Sequence, residues 1–327
     1  MLSRREFMRA AAAAATALPG LSVDSLAAED YPAREIHSIC MFPPGSGADV
    51  LVRLYARKLG ELAGKTVIVE NKVGAFGNIA TEHVARSKPD GYTIYIAPGS
   101  SVLAAATHLF KKLPFDPIKD FEHVTTLSKL PFLLLVAGDS PFKSVAELTA
   151  YLKEKGDKGS YGSIANTGLV GSELYKAAFG LKTVEVKYKD PQAMLSDLWG
   201  RNIDFVHLDP ASPAGHLKSG KVRALATTSA QRFAALPNIP SAAEVGITNS
   251  DLIAWWSVHV PAKTPKSVTD KLEAWFNRIA VADDVKQFIA TIGTDPFPGN
   301  SQILKELLVK DTKAWGEYVK VAKIEPL

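Results

Sequence analysis

The sequence predicts an α/β protein built as two lobes. Short apolar runs alternate with segments of helical periodicity along most of the chain, which is the pattern of βα units. The length of 327 residues suggests about two domains. No low-complexity linker separates the two halves, so strands that pass between two lobes fit the sequence better than two independent domains do.

The first unit contains three predicted strands, each followed by a loop. Short apolar runs predict strands over residues 36–42, 66–70 and 92–97. The turn at residues 43–47 leads into a helix over 49–62, because apolar residues recur there at helical spacing. A glycine-rich loop at 72–77 precedes a second helix over 78–87.

The second unit repeats this alternation. Apolar runs predict further strands over residues 132–137, 160–163, 184–188, 203–208, 222–227 and 252–260. Helical spacing predicts helices over 144–155, with Ser144 as the N-cap, and over 192–199. Residues 264–320 are predicted to be mostly helical.

Composition excludes several classes of protein. Hydrophobic residues make up 46% and charged residues 22%, which excludes a disordered or collagen-like chain. The formal net charge of +4 is spread along the chain, which gives no indication of nucleic-acid binding. No stretch reaches the roughly 20 apolar residues that span a bilayer. Cys40 is the single cysteine, so an intrachain disulfide is excluded and a buried structural thiol is favoured.

The N-terminal residues have the pattern of an export signal. A basic segment precedes an apolar run over residues 10–18, and small residues at 25–28 offer a cleavage site. Arg4 and Arg5, followed by Phe and Met, resemble the twin-arginine motif. We therefore predict that residues 1–28 are a twin-arginine signal peptide and that the mature protein is periplasmic.

Motifs of nucleotide-binding, hydrolytic and metal sites are incomplete or missing from the sequence. Residues 45–47 open like a dinucleotide fingerprint, but Val50 stands where the third glycine is needed. Residues 64–66 resemble the end of a P-loop, but Gly60 lies one residue too close to them. There is no G-x-S-x-G elbow, H-E-x-x-H pair or Cys/His cluster. We expect no enzymatic activity, no cofactor and no metal.

Loops rich in small hydrogen-bond donors follow several predicted strands. Residues 43–49 (PPGSGAD) run directly into a helix, and residues 74–78 and 99–101 have the same character. Residues 163–168 (SIANTG) repeat it in the second unit. Because ligands of α/β proteins gather at the carboxyl ends of strands, such loops can converge on one anion-binding cleft. Ordinary βα turns and helix caps explain the same residues equally well.

Several segments together resemble the Bug/TctC family, the extracytoplasmic solute-binding proteins of tripartite tricarboxylate transporters. They cover nearly the whole mature chain and are FPPG at 42–45 with Asp49, VENK at 69–72, PDGYT at 89–93, KLPFDP at 112–117, VKYK at 186–189, GKVRALA at 220–226 and ALPNIP at 235–240. The resemblance implies a type II-like periplasmic binding protein with two lobes, each a mixed sheet flanked by helices. The implied lobes are residues 29–130 with 256–327, and residues 131–255. Strands near 127–137 and 252–260 are expected to cross between them.

The function implied by the resemblance is that of a receptor. It would capture a small organic carboxylate between the lobes and deliver it to the membrane subunits of a tripartite tricarboxylate-type transporter. Family ligands are held by backbone N–H groups, hydroxyls and water rather than by an arginine clamp, and we expect a monomer. The implied ligand-binding residues are Phe42, Gly45, Ser46, Gly47, Phe76, Asn78, Ser100, Ser101, Ser163, Asn166, Thr167 and Asp209.

Departures from the family pattern leave some roles open. Ser46 stands where the family usually has glycine, and the loop at 162–169 is about two residues shorter and lacks the usual histidine. Asp209 either lines the cleft, where it would favour an amine, amide or hydroxyl on the ligand, or caps the turn at Pro210. Asp49 is favoured as a partner of the helix dipole over a ligand contact.

Two other classes of function compete with uptake. A periplasmic ligand-sensing accessory protein for a signalling partner would need the same receptor. An enzyme on the same two-lobed fold would need an activated nucleophile or an acid/base pair, and the sequence contains no motif for either.

Overall fold

The computed structural model describes residues 31–164 and 166–327, so the predicted signal peptide lies outside the described residues. The strands are β1 (Ile36–Cys40), β2 (Val67–Asn71), β3 (Thr93–Ala97), β4 (Phe121–Pro131), β5 (Leu133–Ala137), β6 (Ser160–Ser163), β7 (Val184–Lys187), β8 (Phe205–Leu208), β9 (Val222–Thr227), β10 (Ile253–Pro261) and β11 (Asp295–Pro296). The α-helices are α1 (Gly47–Ala63), α2 (Asn78–Ala85), α3 (Ala106–Leu109), α4 (Val145–Lys155), α5 (Asn166–Phe179), α6 (Pro191–Trp199), α7 (Ala214–Lys218), α8 (Lys266–Ala280), α9 (Asp283–Thr291) and α10 (Ser301–Val321).

Two mixed sheets organise these elements, and each sheet is the centre of one lobe. The first lobe has a six-stranded sheet in the order β11-β4-β10-β3-β1-β2. The second lobe has a five-stranded sheet in the order β7-β6-β8-β5-β9. This confirms the predicted α/β class with a mixed sheet and flanking helices in each lobe.

Apolar clusters cover both faces of each sheet. In the first lobe, Trp256 packs with Tyr55 and Phe276 on one face, and Trp255 packs with Trp315 on the other. The neighbouring tryptophans point to opposite faces because side chains alternate along a strand. In the second lobe, the two faces carry one cluster that includes Tyr161, Tyr175 and Phe205 and another that includes Met194, Leu195 and Leu198.

The chain crosses between the lobes twice, at adjacent points. β4 ends at Pro131 in the first sheet, and β5 begins at Leu133 in the second. Thr228 ties the two crossings together. Its N–H donates to the Phe132 carbonyl at 2.9 Å, and its hydroxyl donates to the Leu252 carbonyl at 2.6 Å. These crossings lie at the segments 127–137 and 252–260 named in the prediction. The proposed lobe boundary at 255/256 falls inside β10, since that strand joins the first sheet from Ile253 onward.

Most predicted elements lie within about two residues of the observed ones, and the differences have local causes. The hydroxyl of Ser144 caps α4 as predicted, accepting the Glu147 N–H at 3.2 Å. β4 begins at Phe121, well before the predicted crossing segment at 127–137, because buried polar residues such as Thr125 and Ser128 interrupt the hydrophobic pattern. The C-terminal region is mostly helical as predicted, with β11 paired to β4. Cys40 is fully buried, and that burial raises the pKa of its thiol.

Candidate functional site

The carboxyl ends of the parallel strands in both lobes lie at the edges where the chain crosses. β1, β2, β3 and β4 run in one direction, and β4 leaves the first sheet at Pro131. In the second sheet Leu133, the first residue of β5, pairs with Leu208 and Thr227, which end β8 and β9. β6 and β7 run parallel to β8. The loops that follow these strand ends therefore lie on the facing sides of the two lobes.

The loop after β1 is held in place by Asp49. This carboxylate is 1% exposed and accepts the Gly45 N–H at 2.8 Å, the Asn71 side-chain amide at 2.7 Å and Arg53 Nε at 2.8 Å. Burial alone would raise the pKa of Asp49, but the hydrogen bonds from Arg53, Asn71 and Gly45 outweigh it and lower the pKa to about 2. Asp49 is thus an ionised structural anchor at the start of α1, in agreement with the favoured interpretation.

These bonds decide which donors of this loop face the cleft. The Gly45 N–H is used by Asp49, and the Ser46 N–H donates to the Pro43 carbonyl at 3.2 Å. Ser46 is the N-cap of α1, and its hydroxyl accepts the Asp49 N–H at 3.2 Å. Gly47 begins the helix, where backbone N–H groups have no acceptor within the helix. The first turn of α1, rather than Gly45, therefore supplies the N–H donors at this point.

The loop after β2 has a different character. Gly74, Ala75, Phe76 and Gly77 all have positive φ, at 133°, 46°, 53° and 95°. Such values are uncommon outside glycine and carry strain. The Phe76 side chain is 63% exposed and lies 6.2 Å from the Phe110 ring, measured between ring centroids. The loop therefore places an exposed aromatic ring beside the cleft.

Asn78 follows this loop as the first residue of α2. It is buried, and its side-chain oxygen has no hydrogen-bond partner among the described residues. An unsatisfied buried amide oxygen is costly, so this position favours a hydrogen-bond donor.

The loop after β3 is shaped by close packing. A Cβ atom on Gly99 would lie 2.1 Å from the Trp255 ring, so only glycine fits there. The Ser100 hydroxyl accepts the Trp255 N–H at 3.3 Å, and the Ser101 hydroxyl donates to the Pro98 carbonyl at 3.1 Å. Both predicted hydroxyls are therefore engaged in holding the turn.

In the second lobe, Ser163 ends β6, and its buried hydroxyl donates to Glu185 of β7 at 2.5 Å. Asn166 and Thr167 begin α5 and are half-buried. A Cβ on Gly168 would lie 2.6 Å from the His207 carbonyl oxygen. The N-terminus of α5 is therefore packed tightly against β8.

The contacts of Asp209 are those of a turn cap, which is the second of its two predicted roles. Its carboxylate accepts the N–H groups of Ala211 and Ser212 at 3.0 and 2.9 Å, and the Ser212 hydroxyl at 2.8 Å. It caps the turn after β8 and leaves a negative charge at that strand end. Phe42 is half-buried and packs on the first-lobe core, with its ring 5.8 Å from Trp256.

Sequence reasoning missed three residues that build the site. Arg53 lies inside a helix, and Asn71 is too far along the chain from the loop that it supports. Glu185 stands between two valines in a strand, which usually indicates an exposed charge. The structure reverses this pattern: Val184 and Val186 are 53% and 37% exposed, while the Glu185 side chain is 23% exposed. A carboxylate between two valines, in the strand that follows a serine loop, was the available signal.

A groove of about 610 Å³ runs along α2 of the first lobe, from Ile79 to Arg86. It is bordered by His37 and Thr93, which lie in the N-terminal parts of β1 and β3. Both arginines that line it are already paired, Arg34 with Asp90 at 3.1 Å and Arg86 with Glu82 at 2.6 Å. Among residues 31–164 and 166–327, no group of His, Cys, Asp and Glu is placed to hold a metal ion.

Comparison with known proteins gives a consistent picture. Residues 51–324 match the family described as "Tripartite tricarboxylate transporter family receptor". A UPF0065 protein from the tcbD-tcbE intergenic region of Pseudomonas sp. strain P51 is 29% identical, over 95% of this chain and 93% of that protein. Protein BugT of Bordetella pertussis is 27% identical, over 90% of this chain and 91% of that protein.

Solved structures agree in fold. R. palustris Rpa4515 with adipate is 30% identical with a TM-score of 0.79, covering 91% of this chain and 100% of that one. The periplasmic binding protein BugD is 28% identical with a TM-score of 0.76, over 91% and 100% of the chains. MatC from Rhodopseudomonas palustris with bound malate is 25% identical with a TM-score of 0.74, over 88% and 100%.

Proposed function

This chain belongs to the tripartite tricarboxylate transporter receptor family of solute-binding proteins, and from that premise we propose a specific function for it. It captures a small organic carboxylate between its two lobes and delivers it to the membrane subunits of such a transporter. The observation that carries the proposal is the position of the donor loops at the facing strand ends of both lobes. The related structures with adipate and malate support a small organic acid as the ligand.

Binding relies on backbone donors at helix N-termini. α1 and α2 each follow a strand end that faces the second lobe. The first N–H groups of a helix lack internal acceptors and carry partial positive charge, so they hold a carboxylate without an arginine. The lobes close on the ligand by rotation about the paired crossings at Phe132 and Thr228.

Export is the second part of the proposal. Residues 1–28 direct the folded protein to the periplasm through their paired arginines, and cleavage near Ala28 releases the mature receptor. The periplasmic binding protein BugD, a relative over 91% of this chain, supports this location. Replacing Arg4 and Arg5 with Lys is expected to retain the precursor in the cytoplasm, as measured by fractionation.

Catalysis is not part of the proposed function. The described chain contains serine–histidine pairs, Ser172 with His207 at 3.1 Å and Ser257 with His259 at 2.6 Å. All four residues are at most 3% exposed, so no substrate reaches these hydroxyls. Burial lowers the pKa of His207 to about 3 and that of His259 well below its usual range, which makes both poor bases.

The test is a thermal-shift screen of the mature protein against small carboxylates and their matched amides, followed by calorimetry. A ligand at about 100 times its Kd stabilises the protein by about 2.7 kcal/mol. We expect a shift with one or more carboxylates that is absent with the amide. No shift with any aliphatic, aromatic or amino acid would contradict the proposal.

A blocking variant locates the site. A Cβ atom on Gly47 would meet nothing within 4 Å, so we expect Gly47→Phe to fold and to fill the space before α1. We expect it to abolish carboxylate binding. Glu61→Phe adds the same side chain near the other end of α1, on an exposed surface, and is expected to bind normally. Undiminished binding by Gly47→Phe would put the ligand elsewhere.

A further inference from the structure

The second-lobe end of the cleft offers hydrogen-bond acceptors and negative charge. The Ser163 hydroxyl donates its single proton to Glu185 at 2.5 Å, which leaves only lone pairs on its oxygen for any further contact. An ionised carboxylate such as Glu185 is itself acceptor-only. A ligand group that reaches this point therefore has to bring a proton.

The position of these groups follows from the strand register. β6 lies between β7 and β8, and Ser163 is its last residue. Glu185 of β7 pairs opposite Tyr161, two residues before Ser163, and Asp209 follows the end of β8. Neighbouring strands lie about 4.8 Å apart, so two carboxylates flank the strand end that carries Ser163.

The two lysines near this point are either exposed or already paired with another carboxylate. Lys187 lies 3.8 Å from Glu185, but its side chain is 81% exposed, and such pairs are strongly screened. The neighbouring Lys176 is bonded to Glu173 at 2.6 Å. Among the described residues, no other lysine or arginine forms an ion pair with Glu185. A ligand carboxylate placed here would face like charge and a hydroxyl with no free proton.

The first lobe has the opposite polarity. The negative charge at the start of α1 is satisfied by Arg53, Asn71 and the Gly45 N–H, and the first turns of α1 and α2 present N–H donors. A ligand that suits both ends therefore carries a carboxylate toward the first lobe and a donor toward the second.

We infer that Glu185 determines specificity and that the preferred ligand is an aminocarboxylate, whose ammonium group lies at Ser163 and Glu185, rather than a dicarboxylate. This inference rests on the proposed function. A hydroxycarboxylate satisfies the same hydrogen bonds without the charge attraction, so it binds more weakly than the amine of equal length.

The experiment compares ligands of equal length by calorimetry on the mature protein. One series is adipate, 6-aminohexanoate, 6-hydroxyhexanoate and hexanoate, and the other is succinate, 4-aminobutanoate, 4-hydroxybutanoate and butanoate. In the series that fits the cleft, we expect the amino acid to bind at least tenfold more tightly than the dicarboxylate. A tighter dicarboxylate in that series would overturn the inference and leave the proposed function standing. No binding by any of the eight compounds would overturn the inference and count against the proposed function as well.

A matched pair of variants tests the residue itself. Glu185→Gln keeps the shape and the acceptor oxygen but removes the charge, so the preference for the amino acid over the dicarboxylate should fall at least fivefold. Glu154→Gln removes a charge of the same sign from the exposed surface of α4 on the same lobe, and should leave the ratio unchanged. An unchanged ratio in folded Glu185→Gln, or an equal loss in both variants, would show that Glu185 does not set specificity.

Discussion

The two glycine-rich loops of the first lobe look alike in sequence and differ in structure. Residues 43–47 and residues 74–77 each follow a strand and lead into a helix. The first loop is fixed by the buried Asp49. The second loop has four successive residues of positive φ and an exposed aromatic ring, Phe76. Side-chain hydrogen bonds hold the first loop in place, whereas the backbone of the second loop is strained.

The difference comes from partners that are distant in sequence. Asn71, at the end of β2, donates to Asp49 and also to the Phe42 carbonyl, both through the same amide nitrogen. Arg53 reaches back from the first helical turns to the same carboxylate. The second loop has the buried Asn78 at its end, whose side-chain oxygen is unpaired. The first loop is therefore fixed by side-chain contacts, whereas the second loop ends at an unpaired acceptor.

The largest expected effect is the loss of the anchor. Asp49→Ala leaves the Gly45 N–H and the Asn71 amide without their acceptor and separates Arg53 from its counter-ion. Because buried polar groups left unpaired cost about 1–3 kcal/mol each, we expect a loss of about 3 kcal/mol in the free energy of unfolding. Urea denaturation of the mature protein measures it.

The control for this variant is an exposed ion pair on the same helix. Glu61 pairs with Arg57 at 2.7 Å and with Lys58 at 3.2 Å, and the side chains of Glu61 and Arg57 are about half exposed. Such pairs contribute about 0–1 kcal/mol, so Glu61→Ala should be nearly neutral. Equal losses in the two variants would mean that the loop after β1 is not anchored by Asp49.

The same anchor predicts an acid limit. The folded-state pKa of Asp49 is lowered to about 2 from an ordinary value of 3.8, so its ionised form favours the folded state. This contribution, about 2 kcal/mol, is present above pH 4 and is lost as the pH falls from about 4 to 2. In urea titrations at pH 6 and pH 3, wild type should lose more stability on acidification than Asp49→Asn does. Parallel losses in the two proteins would exclude Asp49 as the source.

Alanine substitutions of two glycines, one in each loop, separate the energetic cost of backbone strain from that of steric overlap. Gly45 and Gly77 both have positive φ, at 81° and 95°. A Cβ on Gly45 meets nothing within 4 Å, whereas one on Gly77 lies 2.7 Å from the Met41 methyl and 3.0 Å from Val102. Gly45→Ala should therefore cost about 1 kcal/mol for backbone strain alone, and Gly77→Ala about 2 kcal/mol. Chemical denaturation measures the free energy of unfolding of both variants. A larger loss for Gly45→Ala than for Gly77→Ala would contradict the packing argument.

Much of the fold could be predicted from the sequence, because it rests on local signals. Apolar runs, helical spacing and the cap at Ser144 depend on neighbouring residues, and the predicted elements lie close to the observed ones. β4 was predicted only in part. Its polar residues Thr125, Thr126 and Ser128 are buried on both faces of the sheet instead of facing solvent, so they interrupt the pattern that predicts a strand.

The site could be predicted only as a set of loops. The sequence located the donor loops, since small residues after strands are a local pattern. It did not reveal which donors already have an acceptor. The Gly45 N–H donates to Asp49, four residues along the chain, and the Ser163 hydroxyl donates to Glu185, 22 residues away. Such assignments depend on strand order and register, which no local pattern contains.

The smallest expected effect on stability is at Phe76, where the comparison of the two loops is sharpest. Phe76→Gly removes the strain of a non-glycine residue at φ 53° and loses a ring that is 63% exposed. We expect the free energy of unfolding to stay within about 1 kcal/mol of wild type, with any change toward stabilisation. If the ring closes over the ligand, binding loses about 1 kcal/mol of apolar contact, or about fivefold in Kd by calorimetry. Val309→Ala, which trims a 58% exposed side chain on α10, should change neither quantity. A Phe76→Gly protein that binds as tightly as wild type would show that the strained loop does not serve the ligand, and a clearly destabilised one would show that its conformation is not strained.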